Sequence, residues 1–171
     1  CGASHLVAHL VDYFRGDPAN PQGDQPTGGD RGWGLAGDPN QLWTTEELVS
    51  LRDAAADEGL TLEAIENFDP AHWHDVLLDG PQRSRHIENV KTTIRRLGEA
   101  GVPIIGYNFS IAGVCGRVTG PFARGHAYAV GMDGPYDAPM PQGMAWNMVV
   151  DPTAPVLAAP QATIEQLWDR L

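Results

Sequence analysis

The sequence predicts an α/β fold built on a parallel sheet, and three observations predict it. An amphipathic helix, a glycine and an apolar strand follow one another twice in the same order, over residues 44–66 and again over residues 84–109. A further apolar segment at residues 4–11 stands ahead of the first of these units. The last strand, Val102-Pro-Ile-Ile-Gly-Tyr-Asn-Phe109, is a nearly continuous apolar run with Pro103 at its start, the pattern of a strand covered on both faces. Helix, short turn and strand repeated in this way argue for βαβ crossovers, which bring successive strands parallel and adjacent.

Each element has its own signal. The run His5-Leu-Val-Ala-His-Leu-Val11 is too short for a helix and is bounded by Gly2, Asp12 and Gly16, so a strand is predicted near residues 5–10. Gly, Pro, Asp and Asn then dominate to Gln41, predicting a long loop at about residues 15–42, a candidate lid. Thr44 with Glu47 at N3 forms a capping box, and Trp43 with Leu48 forms the hydrophobic staple, so a helix begins there. Its buried face is Leu48, Leu51 and Ala55, and Gly59 ends it in the left-handed region. A second strand is predicted at residues 61–66, followed by a loop over residues 67–82 with one short helical turn near residues 72–78. Ile87, Val90, Ile94 and Leu97 mark one face of the next helix, from about Ser84, with Arg95 and Arg96 toward solvent and Gly101 at its end. Both helices are expected on one face of the sheet, and the third strand at residues 103–108. From 110 to 160 Gly, Pro and Met return, with Trp146-Asn-Met-Val-Val150 as the strand-like run. Thr163 and Gln166 form a second capping box that opens a terminal helix carrying Leu167, Trp168 and Leu171.

Three parallel strands, two crossover helices and a terminal helix amount to about half of a TIM (β/α)8 barrel, which usually needs roughly 250 residues. Residues 1–171 are therefore read as a single incomplete domain, the N-terminal portion of such a barrel, and the start at Cys1 as a cut end. Forty-two per cent apolar residues suffice for a core, while 22 acidic against 11 basic residues leave a net charge of −11. That charge disfavours nucleic acid and anionic membrane as partners, because phosphate backbones are bound by clustered Lys and Arg. No apolar run approaches the roughly 18 residues of a membrane span. Cys1 and Cys115 lack metal or redox spacing, so a reducing, cytoplasmic setting is expected.

The motifs carry a likeness as well. Trp43-Thr-Thr-Glu-Glu47, Glu63-Ala-Ile-Glu66 on the next strand, and Asn89-Val-Lys-Thr-Thr-Ile-Arg-Arg-Leu97 leading through Gly101 into Gly106-Tyr-Asn-Phe109 resemble, in order and spacing, the mannonate dehydratase family over about residues 1–110. The resemblance implies a barrel of the xylose-isomerase-like type, and a hydro-lyase that converts D-mannonate to 2-keto-3-deoxy-D-gluconate in hexuronate (glucuronate) catabolism. It implies Mn²⁺ or Fe²⁺ as cofactor, with the metal ligands and the catalytic Tyr and His on later strands, outside this chain. A small-molecule sugar acid is the implied partner, and a homo-oligomer the implied state of the full-length enzyme. Two other readings stay open: a metal-dependent sugar isomerase or epimerase on the same barrel, and an inactive truncated fragment that binds a sugar acid.

Active sites of such barrels lie at the C-terminal ends of the strands, which selects the candidates. His9 falls near the end of the first strand; the plain alternative is a satisfied rim histidine. Glu66 ends the second, where a carboxylate needs a partner to offset desolvation; the alternative is a structural ion pair. Tyr107 and Asn108 end the third, one expected inward and one outward, and an Asn amide there can both donate to and accept from a sugar hydroxyl. Arg117 and Arg124, in the loop Gly116-Arg-Val-Thr-Gly-Pro-Phe-Ala-Arg-Gly125, have the bidentate fork that holds a carboxylate; the alternative is a solvated arginine. These six are the substrate-binding candidates. His72 and His74 are read as surface histidines, and Cys115 and His126 as residues of metal-ligand type without a ligand motif around them. Glu66 is the one candidate for a catalytic base.

Overall fold

The computed structural model describes residues 2–11, 34–110, 117–132, 140–141, 143–146, 148–154, 156–157 and 163–171. Cys1, Cys115 and most of the expected lid at 15–42 lie outside them. The chain divides into two compact units, residues 1–11 with 37–108 and residues 12–36 with 109–171. No helix among the described residues is long and apolar enough to cross a membrane.

The first unit runs β1 (His5–His9), α1 (Thr45–Asp57), β2 (Thr61–Glu66), a 3-10 turn (Pro70–His72), α2 (His74–Leu78), α3 (Arg83–Glu99) and β3 (Ile104–Gly106). β2 is central and pairs in parallel with both neighbours, in the order β1-β2-β3 that the repeated unit predicts. The register aligns His9 with Glu66 and Glu66 with Gly106, so the three strands finish level. β3 is shorter than predicted and leaves Tyr107 and Asn108 just beyond its end.

Both long helices cover one face of this sheet. Leu48 and Ala55 of α1, Leu62 and Ile65 of β2, and Leu97, Ala100 and Val102 form the core, with Leu6, Ala8 and Ile105 packed against it. Leu48 and Ile65 are wholly inaccessible to solvent. Burying a side chain of this size stabilises the fold by roughly 1.5–3 kcal/mol. The apolar run of the third strand, expected to be covered on both faces, is covered on one: Ile105 joins the core while Ile104, like Val7 on β1, is half exposed.

Thr44 caps α1 as the sequence predicts, its hydroxyl accepting from the Glu47 N–H while the Glu47 carboxylate accepts from the Thr44 N–H. Gly59 closes the helix at φ +73°. α3 is rotated from its predicted setting. His86, Thr93 and Leu97 are buried and Ile94 is half exposed, so its inner stripe runs through 86, 93 and 97. Burial of Thr93 is tolerated because its Oγ1 donates to the Asn89 carbonyl. Arg96, expected to face solvent, is partly buried and donates from Nη1 to the Trp43 carbonyl at 2.7 Å. Arg52 of α1 likewise donates to the Ala100 carbonyl at 2.7 Å, and Thr45 Oγ1 donates to Glu99 Oε2 at 2.8 Å.

Among its described residues the second unit holds three short antiparallel pairs. β4 (Arg117–Gly120) pairs with β5 (Ala129–Met132), and β6 (Met140–Pro141) with β9 (Val156–Leu157). Between the latter two, β7 (Met144–Ala145) and β8 (Met148–Val149) form a hairpin. Within the strand-like run 146–150, Trp146 has a left-handed φ of +47° and Met148–Val149 is extended. Strands of two to four residues, several containing Gly or Pro, carry no readable alternation, which is why the sequence reads as loop there. α4 (Ile164–Arg170) begins at the Thr163–Gln166 capping box, as expected.

Two substitutions test this account by chemical denaturation. Thr44→Ala, which removes the hydroxyl that accepts from the Glu47 N–H, is expected to destabilise the first unit by about 1 kcal/mol. Leu48→Ala is expected to cost about 2–5 kcal/mol, because the inaccessible site cannot fill with water.

Candidate functional site

Strand alternation creates the site. Ile65 faces the helices, so its neighbour Glu66 emerges on the opposite side, beside the last residue of β1. His9 Nε2 lies 3.2 Å from Glu66 Oε2, and both side chains are about half exposed. Nearer the start of the strands His5 and Glu63 stand 3.8 Å apart. The chain leaves β2 through Asn67, buried and left-handed at φ +71°, whose N–H donates to the Gly106 carbonyl at 2.9 Å. That bond ties the ends of β2 and β3 together. Tyr107, next along, is exposed and Asn108 is partly buried.

The other two candidates belong to the second unit. Arg117 opens β4 and Arg124 sits, exposed, in the β4–β5 connection, so the stretch read as a single loop is a hairpin. His126 is exposed and left-handed at φ +59° in the same connection.

The segment after β2, read as a loop with surface histidines, is instead packed inside. His72 is buried, with Nε2 3.0 Å from the Asp38 carbonyl, and Asp69 accepts from the N–H groups of Gly37 and Ala71. Trp73 is buried and donates to the Phe68 carbonyl. His74, Asp75 and His86 come together, with one metal-ligating atom from each within 4.8 Å of the others. The sequence held a signal for this burial: Phe68, Pro70, Trp73 and Leu77 are too apolar a setting for an exposed loop.

These three are of the type that a divalent ion uses, and their hydrogen bonds say how well one would fit. His74 donates from Nδ1 to the Pro70 carbonyl at 2.8 Å, which leaves Nε2 as its ligand atom, 3.5 Å from Asp75 Oδ1. Asp75 Oδ2 accepts from the Gln82 N–H at 2.7 Å. His86 is different: its Nδ1 accepts from the Asp75 N–H at 3.1 Å, so the neutral ring carries its proton on Nε2. It could ligate only by giving up that bond. The cluster is closed by its own hydrogen bonds and does not fit an ion as a three-ligand centre.

Burial is the main cause that holds the His86 imidazole down, to about 4 from the ordinary 6.5. The neighbouring His74 adds to this, Asp75 opposes it, and Arg85 and His72 contribute further lowering.

The comparisons with known proteins bear on these elements. The profile of the D-mannonate dehydratase (UxuA) family matches residues 24–118, more than half of the chain. The chain belongs to that family. Mannonate dehydratase of Thermotoga petrophila is 44% identical over 69 residues, 40% of this chain and 19% of that relative. Mannonate dehydratase 2 of Halalkalibacterium halodurans is 41% identical over 68 residues, with the same two shares. A crystal structure of mannonate dehydratase from Streptococcus suis matches 64% of this chain and 31% of its own, at 26% identity and a TM-score of 0.41. This UxuA-family chain spans about a fifth of the length of the curated relatives it matches.

Two outcomes are expected from the buried cluster. Below about pH 6.5 the unfolded chain takes up a proton at His86 that the folded chain refuses, so stability falls as pH drops from 6.5 toward 4 and is unaffected by this group above 6.5. Thermal melts across that range are expected to show a shallower decline in His86→Gln than in the parent chain. Gly80→Ala is expected to destabilise by more than about 1 kcal/mol, since the new methyl would overlap the Asp75 carboxylate. Heat-monitored circular dichroism measures it.

Proposed function

We propose that this chain supplies the first β/α units of a TIM barrel of the xylose-isomerase-like type, with residues 1–171 forming one incomplete domain of it, in an enzyme that dehydrates D-mannonate to 2-keto-3-deoxy-D-gluconate. The observation that carries the reading is the family match over residues 24–118. The level C-terminal ends of β1, β2 and β3 support it, since that edge of a parallel barrel is where substrates bind. The half-exposed Val7 and Ile104 are, in this reading, interior positions that further strands cover.

The reaction removes a proton from the carbon next to the carboxylate and a hydroxyl from the following carbon. Water leaves, and the enol that remains becomes the 2-keto acid. The transition state asks for groups that hold the acid's growing negative charge, a base for the proton and an acid for the departing hydroxyl. Among this chain's residues Arg117 and Arg124 have the fork suited to the substrate carboxylate. Asn108 and Tyr107 carry donors and acceptors for hydroxyls. His9 and Glu66 form a polar pair at the same edge. Because the His74–Asp75–His86 cluster does not fit an ion, the ligands for Mn²⁺ or Fe²⁺ are assigned to the rest of the enzyme. The partner is a small sugar acid, with no nucleic acid or membrane. A cytoplasmic setting and a homo-oligomeric full-length enzyme complete the reading.

The test is turnover of D-mannonate by the enzyme that carries this sequence at full length, followed as formation of the 2-keto acid. Replacement of Arg117 or Arg124 by Ala is expected to raise KM roughly ten- to hundred-fold for at least one of the two, the loss of a charge-assisted hydrogen bond. Metal content should not change. Absence of 2-keto acid would overturn the reading.

A further inference from the structure

We propose that the His9–Glu66 pair receives the hydroxyl chain of the sugar acid and that the substrate's carboxylate binds elsewhere, an assignment that rests on the sugar-acid reading above. Charge decides which part of the substrate this edge can take. β1, β2 and β3 contain neither Lys nor Arg, and the ionisable side chains that they carry are His5, His9, Glu63 and Glu66. A substrate carboxylate placed at this edge would meet the Glu66 carboxylate with only the His9 imidazole to offset it. Like charges brought together at this range are unfavourable. A neutral polyol meets no such penalty.

Hydrogen-bond chemistry points the same way. An ionised carboxylate has about four acceptor positions and no donor, so it selects ligands that donate. His9 Nε2 stands 3.2 Å from one oxygen of Glu66 and orients the group, while the carboxylate is still half exposed to whatever occupies the edge. Adjacent hydroxyls on a sugar chain are paired donors at the spacing of two carboxylate oxygens. A substrate carboxylate, an acceptor like Glu66 itself, is not.

The third position of the row supplies the room. Gly106 is in register with Glu66, and a methyl group built there would lie 3.6 Å from Glu66 Cγ. The absent side chain leaves that flank of the carboxylate unwalled, and the Asn67 N–H to Gly106 carbonyl bond keeps the two strand ends from spreading. The arrangement is an acceptor held between an imidazole on one side and a gap on the other, open toward the strand ends.

Titration of the ¹⁵N-labelled 171-residue chain, followed by amide shifts, separates the possibilities with three probes: D-mannonate, D-mannitol and L-lactate. Mannitol keeps the hydroxyl chain without a carboxylate, and lactate keeps the carboxylate without the chain. The amides of His9, Glu66, Asn67 and Gly106 are expected to move with mannonate and mannitol and to stay in place with lactate. Glu66→Gln is expected to weaken mannitol binding by about five-fold or more, through loss of a charged acceptor. Should Glu66→Gln lose its amide dispersion, Glu66→Asp carries the same comparison. Movement of these four amides with lactate but not mannitol, or unchanged mannitol affinity in the Glu66 variant, overturns the assignment. Shifts with mannonate confined to other residues overturn it while leaving the sugar-acid reading in place. No response anywhere to mannonate or mannitol counts against both.

Discussion

The register of β2 is the constraint on which the first unit depends. Ile65 is driven into the helix-covered face because that is where Leu48, Leu97 and Val102 close over it. Strand geometry then leaves Glu66 no choice of side. A slip of one residue would exchange the two, placing a carboxylate among apolar groups and an isoleucine in water. Position of the His9–Glu66 pair is therefore fixed by packing on the other side of the sheet, and no special interaction at the pair is needed to hold it there.

Parallel pairing on both edges of β2 extends the same constraint outward. His9 and Gly106 are brought level with Glu66 by backbone hydrogen bonds alone, across segments more than 35 residues distant in sequence on either side. The polar side chains contribute little to building this edge, since an exposed pair of this kind is worth about 0–1 kcal/mol. Its composition is accordingly free to serve binding.

Much of this unit was legible because its signals are local. The capping boxes at Thr44 and Thr163, the left-handed Gly59 and the strands at residues 5–9 and 61–66 all follow from short-range chemistry, and the structure has each of them. The face of α3 was misjudged because hydrophobicity pointed to Ile94, whereas a buried Thr93 satisfies its hydroxyl internally and His86 finds its partner eleven residues back at Asp75. Such a partner is invisible to periodicity. The same reason hid the interior position of His72 and His74, whose carbonyl partners at Asp38 and Pro70 are fixed only by the fold. In the second unit the strands are too short for any pattern to rise above the Gly and Pro around them.

The three ties between α1 and α3 have a dynamic consequence. Thr45 to Glu99, Arg96 to the Trp43 carbonyl and Arg52 to the Ala100 carbonyl all join α1, or the residue just before its cap, to the last turn and C-cap of α3. The Ala100 carbonyl belongs to the end of α3, where the aligned peptide dipoles leave partial negative charge, so the Arg52 cation is held there by the helix as a whole. Neither helix can fray at this corner without releasing a charged donor from the other. Slow hydrogen exchange in the two should rise and fall together, the behaviour of a single opening unit rather than of two helices resting separately on a sheet.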